Sequence, residues 1–256
     1  MVLDTLSRHQ TERFRQEPKR RALTVVRAGR LTPKMLRIEF ASPELRDFSS
    51  RAPDDHIKLF FPDPSPAQGR CMRDYTPRAF DTAMGTLTVD FALHQDGPAT
   101  AWALNAKPGD TLEIGGPRGS RIAPDDFDFY LLVGDETALP SIGRRVESLR
   151  EAAPVTTVVV VDGPEEIQNF ETRANWQPLW VFRSGQHTDD AVLLRDALKT
   201  WLAPKGEGYV WIAAEAQTAR TLRNYMREDR GHPKSWLKAA GYWVRGKAGA
   251  DEKFED

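Results

Sequence analysis

Phe129-Tyr130-Leu131-Leu132-Val133-Gly134-Asp135-Glu136-Thr137-Ala138-Leu139-Pro140 is the stretch on which the fold turns. Its first five residues are apolar without a break, as a strand covered on both faces requires. Gly134 ends the run, Asp135 and Thr137 suit a helix cap, and an amphipathic helix is expected over 141–151. Downstream the same rhythm repeats. Strands are read at 156–161, 179–182, 209–213 and 241–244, with helices at 191–202 and 218–230. Strand–helix alternation of this kind builds a parallel α/β sheet.

Upstream the rhythm is different. Short strands at 22–28, 35–40, 56–61, 86–93 and 111–114 are separated by turns rich in glycine and proline, the pattern of a small antiparallel barrel. One helix interrupts them at 99–106, opened by Gly97-Pro98, where proline is tolerated at a helix start. The expected division is a polar extension over 1–21, a β-barrel over 22–123, an α/β domain over 124–246 and a mobile charged tail over 247–256. The fold class is thus a β-barrel plus α/β.

The 256 residues carry 36 basic and 37 acidic side chains, a balance that gives no reason to expect nucleic acid or an anionic membrane as partner. Mean hydropathy is −0.54, and no apolar run approaches the roughly 18 residues of a membrane span. The polar N-terminus lacks the apolar centre of a secretory signal, and the single Cys71 excludes an intrachain disulfide. A cytoplasmic protein is expected.

Four segments carry candidate chemistry. Arg73-Asp74-Tyr75-Thr76-Pro77-Arg78 combines two guanidinium groups, suited to phosphate oxygens, with a phenol ring and a hydroxyl. It would hold a ligand with an anionic end and a planar end, such as a flavin nucleotide; read alone, it is equally an arginine-rich turn with Tyr75 in the core. His94-Gln95-Asp96-Gly97-Pro98-Ala99-Thr100-Ala101-Trp102 runs from a strand into a helix N-terminus, either an anion site or an ordinary junction. Gly115-Gly116-Pro117-Arg118-Gly119-Ser120 lacks the spacing of a P-loop or dinucleotide fingerprint. The Gly134-to-Pro140 junction sits where an α/β sheet binds ligands, yet its carboxylates would repel a pyrophosphate and suit a simple cap as well. Lys58, Arg245 and Lys247 are candidates for a basic lip, or solvated charges. No histidine pair has zinc spacing, and no Ser-His-Asp order is evident.

Taken together, these motifs resemble a known family. Arg73-x-Tyr75-Thr76-x-Arg78, Asp90-Phe91-x-x-His94 with Gly97-Pro98-Ala99-x-x-Trp102, Gly134 to Pro140, and Gly241-Tyr242-Trp243-x-Arg245-Gly246 occur in the order seen in siderophore-interacting proteins, the flavin-dependent ferric-siderophore reductases. The resemblance runs from about Ala22 to Gly246.

It implies a ferredoxin-reductase architecture, an antiparallel FAD-binding barrel followed by a parallel-sheet NAD(P)H-binding domain. By the same resemblance, Arg73 and Arg78 contact the FAD phosphates, Tyr75 packs along the flavin and Thr76 lies close to its N5. Asp90, His94, Gly97, Ala99, Thr100 and Gly119 complete the FAD site, with Thr100 standing for the family's serine. Asp135, Glu136, Thr137 and Glu215 line the nicotinamide side, and Ala214 replaces a glycine common in relatives. Lys58, Arg245 and Lys247 meet an anionic, catecholate-type ferric siderophore. The implied chemistry is electron relay from NADPH or NADH through FAD to Fe(III), without a protein acid or base. Arg183, Arg220 and Arg223 lean towards NADPH, with a ferredoxin as alternative donor. A monomer is expected. The rivals are a general flavin or ferredoxin-type oxidoreductase and a siderophore-binding protein without turnover.

Overall fold

The computed structural model describes residues 8–62, 71–93, 97–185, 189–247 and 249–254. Strands β1 (Glu12–Arg15), β2 (Arg20–Thr32), β3 (Met35–Ala41), β4 (Ile57–Phe61), β5 (Cys71–Tyr75), β6 (Pro77–Asp81) and β7 (Thr86–Ala92) precede helix α1 (Pro98–Asn105), and β8 (Thr111–Gly115) and β9 (Gly119–Ile122) follow it. Seven of them form one antiparallel sheet in the order β5-β4-β8-β2-β3-β7-β6. Its edge strands β5 and β6 are consecutive in the chain, separated only by Thr76, so the sheet curls into an open barrel rather than a closed one.

Alternation fills the inside of the curl. Ile57, Leu59 and Phe61 of β4 face Leu87, Val89 and Phe91 of β7, all buried in one cluster with Leu23, Ile38 and Phe40. Rings from opposite parts of the sheet meet there: Phe61 and Phe91 at 6.5 Å, Tyr75 and Phe91 at 4.6 Å. Trp102 of α1 packs against Phe61 at 5.7 Å and Phe91 at 6.2 Å, so the helix plugs the open end.

The second half contains β10 (Phe129–Gly134), α2 (Leu139–Ser148), β11 (Pro154–Val161), β12 (Asn175–Phe182), α3 (Asp190–Thr200), β13 (Gly208–Glu215), α4 (Ala216–Asn224), β14 (Leu237–Trp243) and β15 (Glu252–Lys253). The sheet order is β12-β11-β10-β13-β14-β15, parallel except for β15. Every residue of β10 is buried because each face has its own cover. Tyr130 and Leu132 pack with Ile142 and Val146 of α2; Leu131 and Val133 pack with Leu194 of α3 and Leu222 of α4. Because β11 and β13 flank β10 on opposite sides, a crevice opens at the carboxyl ends of β10 and β13. Gly134 permits the turn there: a Cβ would lie 2.5 Å from Ala138 Cβ and 2.6 Å from Ala213 O.

The structure departs from the sequence reading at the periphery. Part of the polar extension is strand: β1 pairs with β9, and Gly119, at φ +148°, is demanded by Phe14, whose carbonyl oxygen would lie 2.2 Å from a Cβ. The helix expected over 218–230 ends at Asn224 and passes into a π turn at Tyr225–Asp229. The tail, expected to be mobile, pairs Glu252 with Gly241 and Lys253 with Ala240. None of the described helices is long and apolar enough to cross a membrane.

The two halves are joined by polar contacts. At the β2–β3 hairpin tip, Thr32 Oγ1 and Lys34 N donate to buried Glu166 at 2.5 and 2.9 Å. Arg144 of α2 donates to Ser50 Oγ and Ser50 O, both at 3.0 Å. Beside the cleft, Asp54 pairs with Lys238 and accepts Trp211 Nε1 at 3.2 Å.

Candidate functional site

Between the halves lies a cleft of about 990 Å³, walled by the barrel, the turn after β10, β14 and the C-terminal segment. This is the large end of ordinary ligand sites. From the barrel, β5 turns Arg73, Asp74 and Tyr75 to the wall, and Thr76 follows where the chain leaves the edge strand. Arg73 Nη1 donates to Met72 O at 2.7 Å. Tyr75 is half-buried against Phe91, and burial pushes its phenol well above the usual range, with Arg73 acting in the opposite sense. Thr76 Oγ1 sits 3.0 Å from Ser141 Oγ across the domain joint.

Gly97, Ala99 and Thr100 also reach the wall, at the start of α1. Gly97 is the N-cap residue and has no side chain to cap with, so the first turn of α1 meets the cleft wall without a side-chain cap. A Cβ on Gly97 would meet nothing within 4 Å. Asp90 and Gly119 line the cleft too, but their local partners explain them: Asp90 is buried and grips Arg37 at 2.7 and 2.8 Å. His94 lies outside the described residues.

Arg78, the second arginine of the motif, faces the α/β domain. It is absent from the wall and is bound twice by Glu147 of α2, at 2.8 and 2.6 Å, with Asp90 at 3.8 Å. Its guanidinium lies 5.7 Å from the Phe170 ring centre. An arginine so enclosed braces barrel against α/β domain.

The α/β side divides in the same way. Thr137 and Glu136 line the cleft, whereas Asp135 and Glu215 do not. Asp135 is buried and accepts from Thr137 N (2.9 Å), Thr137 Oγ1 (2.5 Å), Glu215 N (2.9 Å) and Trp243 Nε1 (2.9 Å). Burial first, and the neighbouring Glu136 carboxylate second, raise its pKa to about 6. Glu215 caps α4, accepting from Gln217 N (2.7 Å) and Thr218 N (3.1 Å), and takes Arg245 N at 3.3 Å. These acids tie the ends of β10, β13 and β14 together, so they need not repel an anion at the mouth.

Of the proposed basic lip, Lys247 lines the cleft; Arg245 is exposed and off its wall. Lys58 is paired with Asp74 at 2.8 and 3.1 Å and is also off the wall. Arg183 binds Glu136 (2.7 Å), Asp162 (2.8 Å) and Asp190 (2.9 and 2.8 Å); these carboxylates hold its pKa above the usual range against the pull of burial. Arg220 pairs with Glu252, and Arg220 and Arg223 lie over the Phe254 ring. Sequence reasoning missed Ser141, His56, Arg121, Lys238 and the strap of 249–254. Ser141 hid in a helix's first turn, and no spacing marks residues brought together from distant segments.

The wall suits a molecule with a planar and an anionic part: Arg73 and the α1 N-terminus for phosphate, the Tyr75 face for a ring, the Thr76 hydroxyl beside it. Among the described residues no cluster of His, Cys, Asp and Glu could hold a resident metal. FAD fits this donor set.

Residues 127–246 match the family model described as siderophore-interacting protein, and 24–71 with 65–121 match that of the siderophore-interacting FAD-binding domain. The chain is 32% identical to the NADPH-dependent ferric-chelate reductase of Escherichia coli K12, over 91% of this chain and 96% of that protein. A siderophore utilization protein from T. fusca superposes with a TM-score of 0.88 at 34% identity, covering 94% of this chain and 99% of that one. A ferredoxin-NADP+ reductase from Plasmodium falciparum, at 13% identity, TM-score 0.64 and 84% and 94% coverage, shares the fold.

Proposed function

The chain belongs to the siderophore-interacting protein family, and we propose the division of labour by which it reduces siderophore-bound Fe(III) with electrons from NADPH. The enzyme is a flavoprotein reductase with FAD as cofactor. When bound, FAD converts a hydride from NADPH into electrons delivered singly to iron, and Fe(II) leaves its hard-oxygen ligands readily.

The protein supplies binding and orientation. Arg73 and the first-turn N–H groups of α1 hold the phosphates. Tyr75 supports the ring, and Thr76 presents its hydroxyl to it. Thr137 and the end of β14 receive the nicotinamide, while Asp135 and Glu215 tie the neighbouring strand ends together. Lys247, with Arg245 and Lys58 further out, steers an anionic ferric siderophore of the catecholate type, an attraction that weakens with salt. One observation carries this reading: the arginine-bearing barrel edge, the α1 N-terminus, the turn after β10 and the strand β14 open into one cavity.

Steady-state turnover compares ferric siderophores with free flavin as electron acceptor. The proposal requires faster reduction of the iron complexes, and an acceptor-independent rate makes the chain a general flavin reductase. Lys247→Ala is expected to raise KM for a catecholate complex several-fold at low salt and little at high salt; equal KM at both sinks the steering role.

A further inference from the structure

Three hydroxyls cluster beside the cleft, Tyr242 lying close to Thr76 as well as to Ser141. Thr76 Oγ1 is 3.0 Å from Ser141 Oγ, which is 3.0 Å from the Tyr242 hydroxyl. They come from the β5–β6 link, from α2 and from β14. Ser141 is 2% exposed, and the outer two line the cleft. Each hydroxyl donates one hydrogen and also accepts, so the chain has two self-consistent orders. With Tyr242 donating to Ser141 and Ser141 to Thr76, the Thr76 proton points into the cleft. With the order reversed, Thr76 shows lone pairs to the cleft and Tyr242 is the terminal acceptor. Burial pushes the Tyr242 phenol far above its usual range, so it stays a neutral hydroxyl in both orders.

A flavin ring nitrogen that accepts a hydrogen bond when oxidised bears an N–H once it has taken up a hydride. A hydroxyl serving both states has to reverse its role. We infer that the Thr76–Ser141–Tyr242 triad performs this reversal, with Tyr242 acting as a positioning residue that supplies the last acceptor when the flavin is reduced. The inference rests on the proposed reading that the FAD ring lies against Thr76.

Tyr242→Phe keeps the ring that packs edge-on to Trp211 at 6.0 Å and removes only the hydroxyl. Ser141 still donates to Thr76 in the first order; in the second its buried proton loses its acceptor. The test combines oxidised-FAD affinity of the apoprotein with the midpoint potential of bound FAD. The variant is expected to bind oxidised FAD as the parent does, and its equilibrium constant for flavin reduction is expected to fall about tenfold, about 30 mV for two electrons. Ser141→Ala is expected to shift the potential in the same direction. An unmoved or raised potential in Tyr242→Phe, or loss of oxidised FAD, overturns the triad. Thr76→Val separates the layers: if it leaves the flavin spectrum and potential unchanged, the ring is not against Thr76 and the underlying reading fails. If Thr76→Val moves the potential and Tyr242→Phe does not, the triad alone fails.

Discussion

Arg73 and Arg78 are five residues apart on the two edge strands β5 and β6 that flank the barrel's opening, and the fold uses them in opposite ways. Arg73 stands on the cleft wall, available to a ligand's phosphate. Arg78, only 10% exposed in its side chain, is clamped by Glu147 and helps to hold the α/β domain in place. Across the cleft the same contrast separates Thr137 and Glu136, which reach the wall, from Asp135 and Glu215, which are spent on backbone N–H groups and, for Asp135, on Thr137 Oγ1 and Trp243 Nε1. Polar motif residues at a domain joint therefore divide between contacting a ligand and fixing the surfaces that will contact it, and residue type alone does not say which.

The largest expected effect tests the part of the molecule that serves neither role directly. Phe91→Ala removes the ring on which Tyr75 and Trp102 lean and is expected to cost about 3–5 kcal/mol by urea unfolding; a loss under about 1 kcal/mol would mean that the barrel interior tolerates a cavity there. The arginine pair comes next. Arg78→Ala leaves Glu147 unpaired at the joint and is expected to destabilise the apoprotein by about 2 kcal/mol. Arg73→Ala is expected to leave apoprotein stability unchanged and weaken FAD affinity about tenfold or more. Equal stability losses for the two would erase the distinction drawn between them.

Glu215→Ala deletes the α4 cap and is expected to cost about 1 kcal/mol, read as a lowered melting temperature. The smallest effect is a pH slope. A carboxyl whose pKa rises on folding favours the native state most below its unfolded value and loses that contribution as pH climbs through the folded one. With Asp135 near 6, wild-type stability relative to Asp135→Asn is expected to decline between about pH 4 and pH 6. A gap that widens over that range would put the carboxyl on the other side of its ordinary value.

Much of the fold was legible because patterning is local. The unbroken apolar run of β10 and the alternation in β3, β4 and β7 reflect burial on two faces or one, and the expected strands fall where these elements lie. The peripheral pairings were hidden for the converse reason: β1 and β15 bury little, so Glu12–Arg15 and Glu252–Lys253 carry no hydrophobic signature. In the site, the motifs named Arg73, Tyr75, Thr76, Gly97 and Thr137, and these stand on the cleft wall. The inward turn of Arg78, Asp135 and Glu215 depended on partners more than 60 residues away or on the backbone of other strands, and Ser141 and Tyr242 met Thr76 only once the domains had docked.

Anaerobic electron counting tests the central claim most directly. One equivalent of NADPH added to the FAD-loaded protein is expected to bleach the visible flavin band, and a ferric siderophore added next is expected to restore it with two Fe(II) formed per flavin. A flavin that NADPH reduces but that no ferric siderophore reoxidises without oxygen would contradict the account.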